Sequence, residues 1–130
     1  MNRLHFFWFI DKETFESNIL DSNPVKAAQI LDSYVHAINI NLPLGLNWDS
    51  KSKKEELINI IYEVKNIVTK PLIVGGGLKT SNIGKIAKAL SPNAVDISSG
   101  VEKITGIKNP ELMQEFLEKV YDFKEHLIGV

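Results

Sequence analysis

Two stretches of the chain carry the residue types best suited to chemistry. Residues 70–78 read KPLIVGGGL and residues 94–102 read AVDISSGVE, so two short apolar runs each end in small residues. Consecutive glycines give up side-chain packing and cost backbone entropy on folding. One compensation is a turn whose N–H groups meet an anion near a helix start; a tight turn of purely structural use calls for the same residues. Ser98, Ser99 and Gly100 shift the balance, because a second strand end then offers hydroxyls and amides, and barrels build phosphate sites from the loops after their last two strands. Gly75, Gly76 and Gly77 together with Ser98, Ser99 and Gly100 are therefore the candidates for a phosphate site. Asp96 interrupts an apolar run, where an unpaired buried carboxylate is expensive. It is either bonded to backbone as a structural group or aimed from the strand end at a polar ligand. Glu102 is expected in solvent or against a neighbouring lysine.

Other chemistries are poorly served. The 130 residues include no cysteine, which excludes disulfides, thiolate catalysis and Cys-ligated zinc and fits a reducing compartment such as the cytoplasm. His5, His36 and His126 are scattered without ligand spacing, so no metal is expected. Fifteen basic residues against sixteen acidic ones give a net charge of −1, which argues against a nucleic-acid partner. LHFFWFI at residues 4–10 has only Arg3 before it and runs into Asp-Lys-Glu, so it reads as a buried strand and not a signal sequence. It is also far shorter than the about 20 apolar residues that span a bilayer, and no membrane partner is expected.

The elements that must position these loops follow from periodicity. HFFWFI, VHAINI, PLIVG and AVDIS are continuously apolar or nearly so, the pattern of strands covered on both faces. Asn23-Pro24 starts a helix that ends near Ser33. Residues 52–68 place Leu57, Ile60, Ile61, Val64, Ile67 and Val68 on one helical face. Ile83, Ile86, Ala87 and Leu90 follow a cap at Thr80-Ser81, and Asn109-Pro110-Glu111 opens a last helix carrying Leu112, Met113, Phe116, Leu117 and Val120. Charge runs such as KSKKEE are read as solvated faces. Strand and helix alternating four times predict an α/β chain of about four parallel βα units with right-handed crossovers. No linker divides residues 1–130, which are read as one domain. Four units form either a small open sheet or half of an eight-unit barrel, which needs about 200 residues or more.

The motifs choose between them by resemblance. GGGL followed by TSNI, SPNAVDISSGVE and KNPELMQEFLEKV resembles the C-terminal part of phosphoribosylanthranilate isomerase, a tryptophan-pathway family, with an ordered match over residues 70–120. Leu46-Asn47-Trp48 looks like that family's Phe-Asp-Trp, and the first two strands fall where its fifth and sixth would be. The resemblance implies a TIM-barrel-like half-barrel and an Amadori rearrangement of N-(5-phosphoribosyl)anthranilate without cofactor or metal. It implies that Gly76, Gly77, Ser98, Ser99 and Gly100 hold the phosphate of a phosphorylated small-molecule substrate, with Asp96 near its sugar hydroxyls or anthranilate end.

The same resemblance exposes departures. The family uses a cysteine on its first strand as general base and an aspartate ending its sixth strand as general acid. This chain has no cysteine and offers Asn39 or Asn41 at the acid position, and a carboxamide cannot donate a proton at neutral pH. The catalytic residues are therefore unassigned; Asp49 is either a displaced acid or a helix cap. The expected function is a phosphoribosylanthranilate isomerase-like protein, incomplete or inactive alone, with a non-catalytic phosphate-binding or assembly module as the alternative. A half-barrel leaves open sheet edges and an apolar face including Phe6, Phe7, Trp8 and Phe9, so a homodimer or a complex with a missing N-terminal half is expected.

Overall fold

The computed structural model describes Ser17 and residues 21–42 and 51–122. Along these residues run α1 (Pro24–Asp32), β1 (Ile38–Asn41), α2 (Lys51–Ile67), β2 (Leu72–Gly75), α3 (Ile83–Leu90), β3 (Ala94–Val95), a 3-10 turn (Ser99–Val101), β4 (Glu102–Ile104), β5 (Ile107–Lys108) and α4 (Pro110–Asp122). The strand expected over HFFWFI and the Leu46-Asn47-Trp48 segment with Asp49 lie outside the described residues.

Helix starts follow local chemistry where asparagine precedes proline. Asn23 Oδ1 accepts from the amides of Val25 and Lys26 at 2.9 and 3.2 Å, and Asn109 Oδ1 from those of Glu111 and Leu112 at 2.9 and 3.2 Å. Each asparagine satisfies donors that the first helical turn leaves unpaired. The third helix differs from expectation: it begins at Ile83 with Asn82, not Thr80-Ser81, at its cap, and the Asn82 side chain makes no capping bond there. That side chain is committed to the preceding loop instead.

The three principal strands are parallel in the order β1-β2-β3, with Ile38 opposite Leu72, Asn41 opposite Gly75, Ile73 opposite Ala94 and Val74 opposite Val95. Alternation along them sends Ile38, Ile40, Leu42, Leu72 and Val74 into the core, where they meet Ala27, Leu31, Leu57, Ile61, Val64, Ile83, Ile86 and Leu90 of the helices. Each Val, Leu or Ile among them contributes about 1.5–3 kcal/mol on burial. Asn39, Asn41, Ile73, Gly75, Ala94 and Asp96 share the opposite face of the sheet.

Two polar staples close the helix layer. Lys65 Nζ donates to the carbonyls of Leu90 and Ser91 at 3.1 and 3.0 Å, setting a cation at the C-terminal end of α3 while partial burial lowers its pKa. Asp32, at the end of α1, accepts from the Thr69 and Lys70 amides at 2.8 and 3.1 Å and from the Thr69 hydroxyl. Desolvation pushes the Asp32 carboxyl up, but these bonds and the Lys70 charge outweigh it and hold its pKa below the ordinary aspartate value. Both staples sit at or below the N-terminal ends of the strands, away from the glycine loops.

Candidate functional site

The strand ends place Gly75–Leu78 and Ser98–Val101 side by side. A Cβ built on Gly100 would lie 1.9 Å from the Leu78 carbonyl oxygen, so only glycine lets the second loop seat against the first. Gly76 has φ +91° and Gly77 φ +65°, in the left-handed region that favours glycine. A Cβ on Gly76 would also meet the Leu42 carbonyl oxygen at 2.7 Å and its nitrogen at 2.9 Å. Gly76 is thus demanded by the end of β1, which is the structural reading of the glycine run. Ser98 and Ser99 are exposed and Gly100 is half-buried. The two loops that carry the five candidate phosphate ligands meet at Gly100 and Leu78.

Of the two readings of Asp96, the one that bonds its carboxylate to backbone does not hold. Its amide donates to the Val74 carbonyl at 2.8 Å, continuing the ladder past β3, but its carboxylate is exposed and bonds to a side chain instead of backbone. Asn39 Nδ2 donates to Asp96 Oδ2 at 3.2 Å. These residues come from the two strands flanking β2, and the reach is possible because Gly75 between them has no side chain: a Cβ there would sit 3.3 Å from the Asp96 Cβ and 3.4 Å from Oδ2. The first glycine of the run therefore makes room for a carboxylate. Asn39 Oδ1 is buried and, among the described residues, has no hydrogen-bond partner. A buried acceptor left unpaired costs roughly 1–3 kcal/mol, which marks this point as one that a donor on a ligand would relieve. Asn39, one of the two asparagines considered at the acid position, thus meets Asp96, and Asn41, the other, ends β1.

Sequence reasoning missed two side chains that organise the loops. Lys108, at the end of a β4–β5 hairpin that was not anticipated, places Nζ 3.0 Å from the Ser98 carbonyl, 3.4 Å from Ser98 Oγ and 3.3 Å from Glu102 Oε2. Glu102 is thus the partner of a neighbouring lysine. Asn82 Nδ2 donates to the Gly77 carbonyl at 2.9 Å, and its Oδ1 accepts from the Lys79 amide at 2.9 Å. Asparagine five residues after the last glycine of the turn was the available signal; nothing local marked Lys108. Lys119 of α4 adds a bond to the Thr80 carbonyl at 3.0 Å. Among the described residues no three His, Asp or Glu side chains gather as metal ligands would, and no helix is long and apolar enough to cross a membrane.

Small residues at two adjacent parallel strand ends suit an anion, and the comparisons with known proteins say in which family. The model of the family described as N-(5'phosphoribosyl)anthranilate (PRA) isomerase matches residues 49–119, more than half of the chain. The chain belongs to the PRA isomerase family. The N-(5'-phosphoribosyl)anthranilate isomerase of Pyrococcus furiosus is 33% identical over 109 residues, covering 82% of this chain and 50% of that relative. That of Clostridium acetobutylicum is 41% identical over 66 residues, covering 51% of this chain and 32% of its own. The solved structure of the P. furiosus PRA isomerase aligns at a TM-score of 0.56 and 26% identity, covering 88% of this chain and 49% of that one. The chain spans about half the length of the curated relatives it matches. Its parallel βα repeat is accordingly a TIM-barrel-like half, and the face carrying Asn39, Ile73 and Asp96 corresponds to a barrel interior.

Proposed function

We propose that this chain is the phosphate-binding half of a PRA isomerase barrel, acting in tryptophan biosynthesis in the cytoplasm on N-(5'-phosphoribosyl)anthranilate, and that it is not a complete catalyst by itself. The observation that carries this reading is the seating of Gly100 against Leu78, which joins two amide-bearing loops at neighbouring strand ends in a chain of this family. Gly76, Gly77, Ser98, Ser99 and Gly100 hold the substrate phosphate, and Asp96, oriented by Asn39, contacts the sugar or anthranilate end. The remainder of the barrel comes from a complementary N-terminal half, on another polypeptide or elsewhere in the same protein.

Phosphate contacts hold ground state and transition state alike, so alone they lower the Michaelis constant without accelerating the chemistry. The rearrangement needs a proton delivered to the ring oxygen as the ribose opens and another removed from C2 as the enolamine forms. Each positioned acid or base supplies about 10²- to 10⁴-fold. The sequence contains no cysteine and offers only Asn39 or Asn41 at the acid position, which favours as a second reading a non-catalytic phosphate-binding or assembly module. One experiment separates the two. Loss of anthranilate-conjugate fluorescence is followed with the 130-residue chain alone and with the N-terminal half of a PRA isomerase added. Turnover only in the mixture supports the half-enzyme; phosphate binding without turnover in either supports the module; absence of phosphate binding overturns both.

A further inference from the structure

We propose that Lys108 and Asn82 are positioning residues for the phosphate cradle, each clamping one loop carbonyl so that the N–H of the same peptide unit is aimed at the anion. The inference rests on the phosphate reading above and adds what aligns its donors.

A trans peptide is planar, with its C=O and N–H pointing in opposite directions. Whatever fixes the carbonyl therefore aims the amide of the next residue. The Ser98 carbonyl receives Lys108 Nζ at 3.0 Å and, more weakly, the Val101 amide at 3.4 Å. The Ser99 N–H must then point away from Lys108. It stands at the start of the 3-10 turn, where an amide has no partner within the turn, and no hydrogen bond among the described residues engages it. The Gly77 carbonyl receives Asn82 Nδ2 at 2.9 Å, so the Leu78 N–H points away from Asn82. The orientation of that carboxamide is not arbitrary, because the Lys79 amide can only donate and requires Oδ1 on its side.

The two clamps belong to different elements but act across one junction. Gly100 abuts Leu78, so the peptide units ending at Ser99 and Leu78 lie in touching loops. Lys108 is itself held by Glu102, whose carboxylate also accepts from the Gly106 amide at 3.2 Å. The Glu102 charge offsets the ammonium, so Lys108 works by fixing a dipole more than by presenting net charge to the ligand. Donors oriented before the anion arrives need no reorganisation when it binds.

The test uses backbone amide NMR of the 130-residue chain titrated with inorganic phosphate. In the wild type the Leu78 and Ser99 amides are expected to shift together at saturation. Lys108→Met should weaken phosphate binding roughly tenfold, the loss of one bond from an amide to a charged group, and abolish the Ser99 shift while Leu78 still responds. Asn82→Asp, which keeps the acceptor for Lys79 but loses the donor to Gly77, should do the converse, and Lys108→Arg should restore Ser99. If Lys108→Met lowers affinity while Ser99 still shifts, the lysine acts by charge and positioning is refuted. If neither variant changes affinity or shifts, the inference fails with the phosphate reading intact. If the wild type shows no shifts at all, the phosphate reading fails and this inference with it. Should Lys108→Met not fold, Lys108→Gln, which removes the charge and keeps a donor, takes its place: a retained Ser99 shift supports positioning and its loss with lowered affinity refutes it.

Discussion

Gly100→Ala is the sharpest perturbation of the site. The added Cβ would lie 1.9 Å from the Leu78 carbonyl oxygen, 2.9 Å from its carbon and 3.0 Å from the Lys79 Cα. All three are backbone atoms, so no side-chain rotation relieves the clash, and the loops must part by about 1.1 Å to bring the oxygen out to the 3.0 Å that real Cβ atoms respect. Overpacking of this kind costs about 1–3 kcal/mol. For a domain of this size that is a fall in melting temperature of roughly 3–15 °C. Gly106→Ala is the control: Gly106 has φ +84°, yet nothing lies within 4 Å of its Cβ, so its cost is the left-handed conformation alone, about 1–2 kcal/mol. The two variants are thus close in stability and separate in function. Gly100→Ala opens the junction between the loops and should weaken phosphate binding by at least about tenfold, because a shift of about 1 Å is enough to misalign a positioned group. Gly106→Ala leaves the contact between the loops intact and should weaken binding less than Gly100→Ala, its strain reaching the site only through the hairpin that carries Lys108. Thermal unfolding by circular dichroism and phosphate titration by calorimetry read both quantities. Wild-type phosphate affinity in Gly100→Ala would refute the claim that contact between these loops forms the site.

Three further outcomes follow from particular contacts. The depressed pKa of Asp32 means that its contribution is present above the ordinary aspartate value, near 3.9, and is lost as pH falls through its lower folded value, so Asp32→Asn should flatten the acid limb of stability in urea unfolding between pH 6 and pH 2; parallel curves would show that the staple is not titrating. Asn39→Asp and Asn41→Asp each return a carboxyl group to a candidate acid position, so one of the two should gain turnover over wild type when a complementary half is present; no gain in either would show that the missing acid is not what limits the chain. Met113, Leu117 and Tyr121 recur every four residues along α4 and are 41%, 64% and 67% exposed, the stripe expected where a closed barrel's first helix would pack, so the chain should self-associate at micromolar concentration in sedimentation and Leu117→Lys with Tyr121→Lys should reduce this; a monodisperse wild-type monomer would count against the half-barrel.

Periodicity and capping made the helices legible. Leu57, Ile61 and Val64 of the face read for α2, and the Asn-Pro starts of α1 and α4, depend on residues within one or two turns of each other and formed as read, whereas Ile67, read with that face, is 40% exposed at the end of the helix. Where a side chain had a competing partner, local reading failed. Asn82 forgoes capping α3 to bind Gly77 and Lys79, and α4 buries only Phe116 of the apolar face read from its sequence, because the described residues offer nothing to cover Met113 and Leu117. Asp96 was expected inside a strand; β3 ends one residue before it, and its side chain is exposed.

By itself the sequence determined the alternation of strand and helix, the small residues at two strand ends, the lack of cysteine and the family, since these are properties of composition, spacing and order along the chain. Only the tertiary structure decided what those residues do to one another. That Gly75 makes room for Asp96 to reach Asn39, 57 positions away, follows from the order β1-β2-β3, which sets their strands on either side of β2. That Gly76 clears Leu42 and Gly100 clears Leu78 depends on backbone approaches across loops, for which a glycine in a sequence gives no address. Lys108 reaches Ser98 because a hairpin folds the chain back at Gly106, and a lysine's neighbours through space cannot be read from its neighbours in sequence.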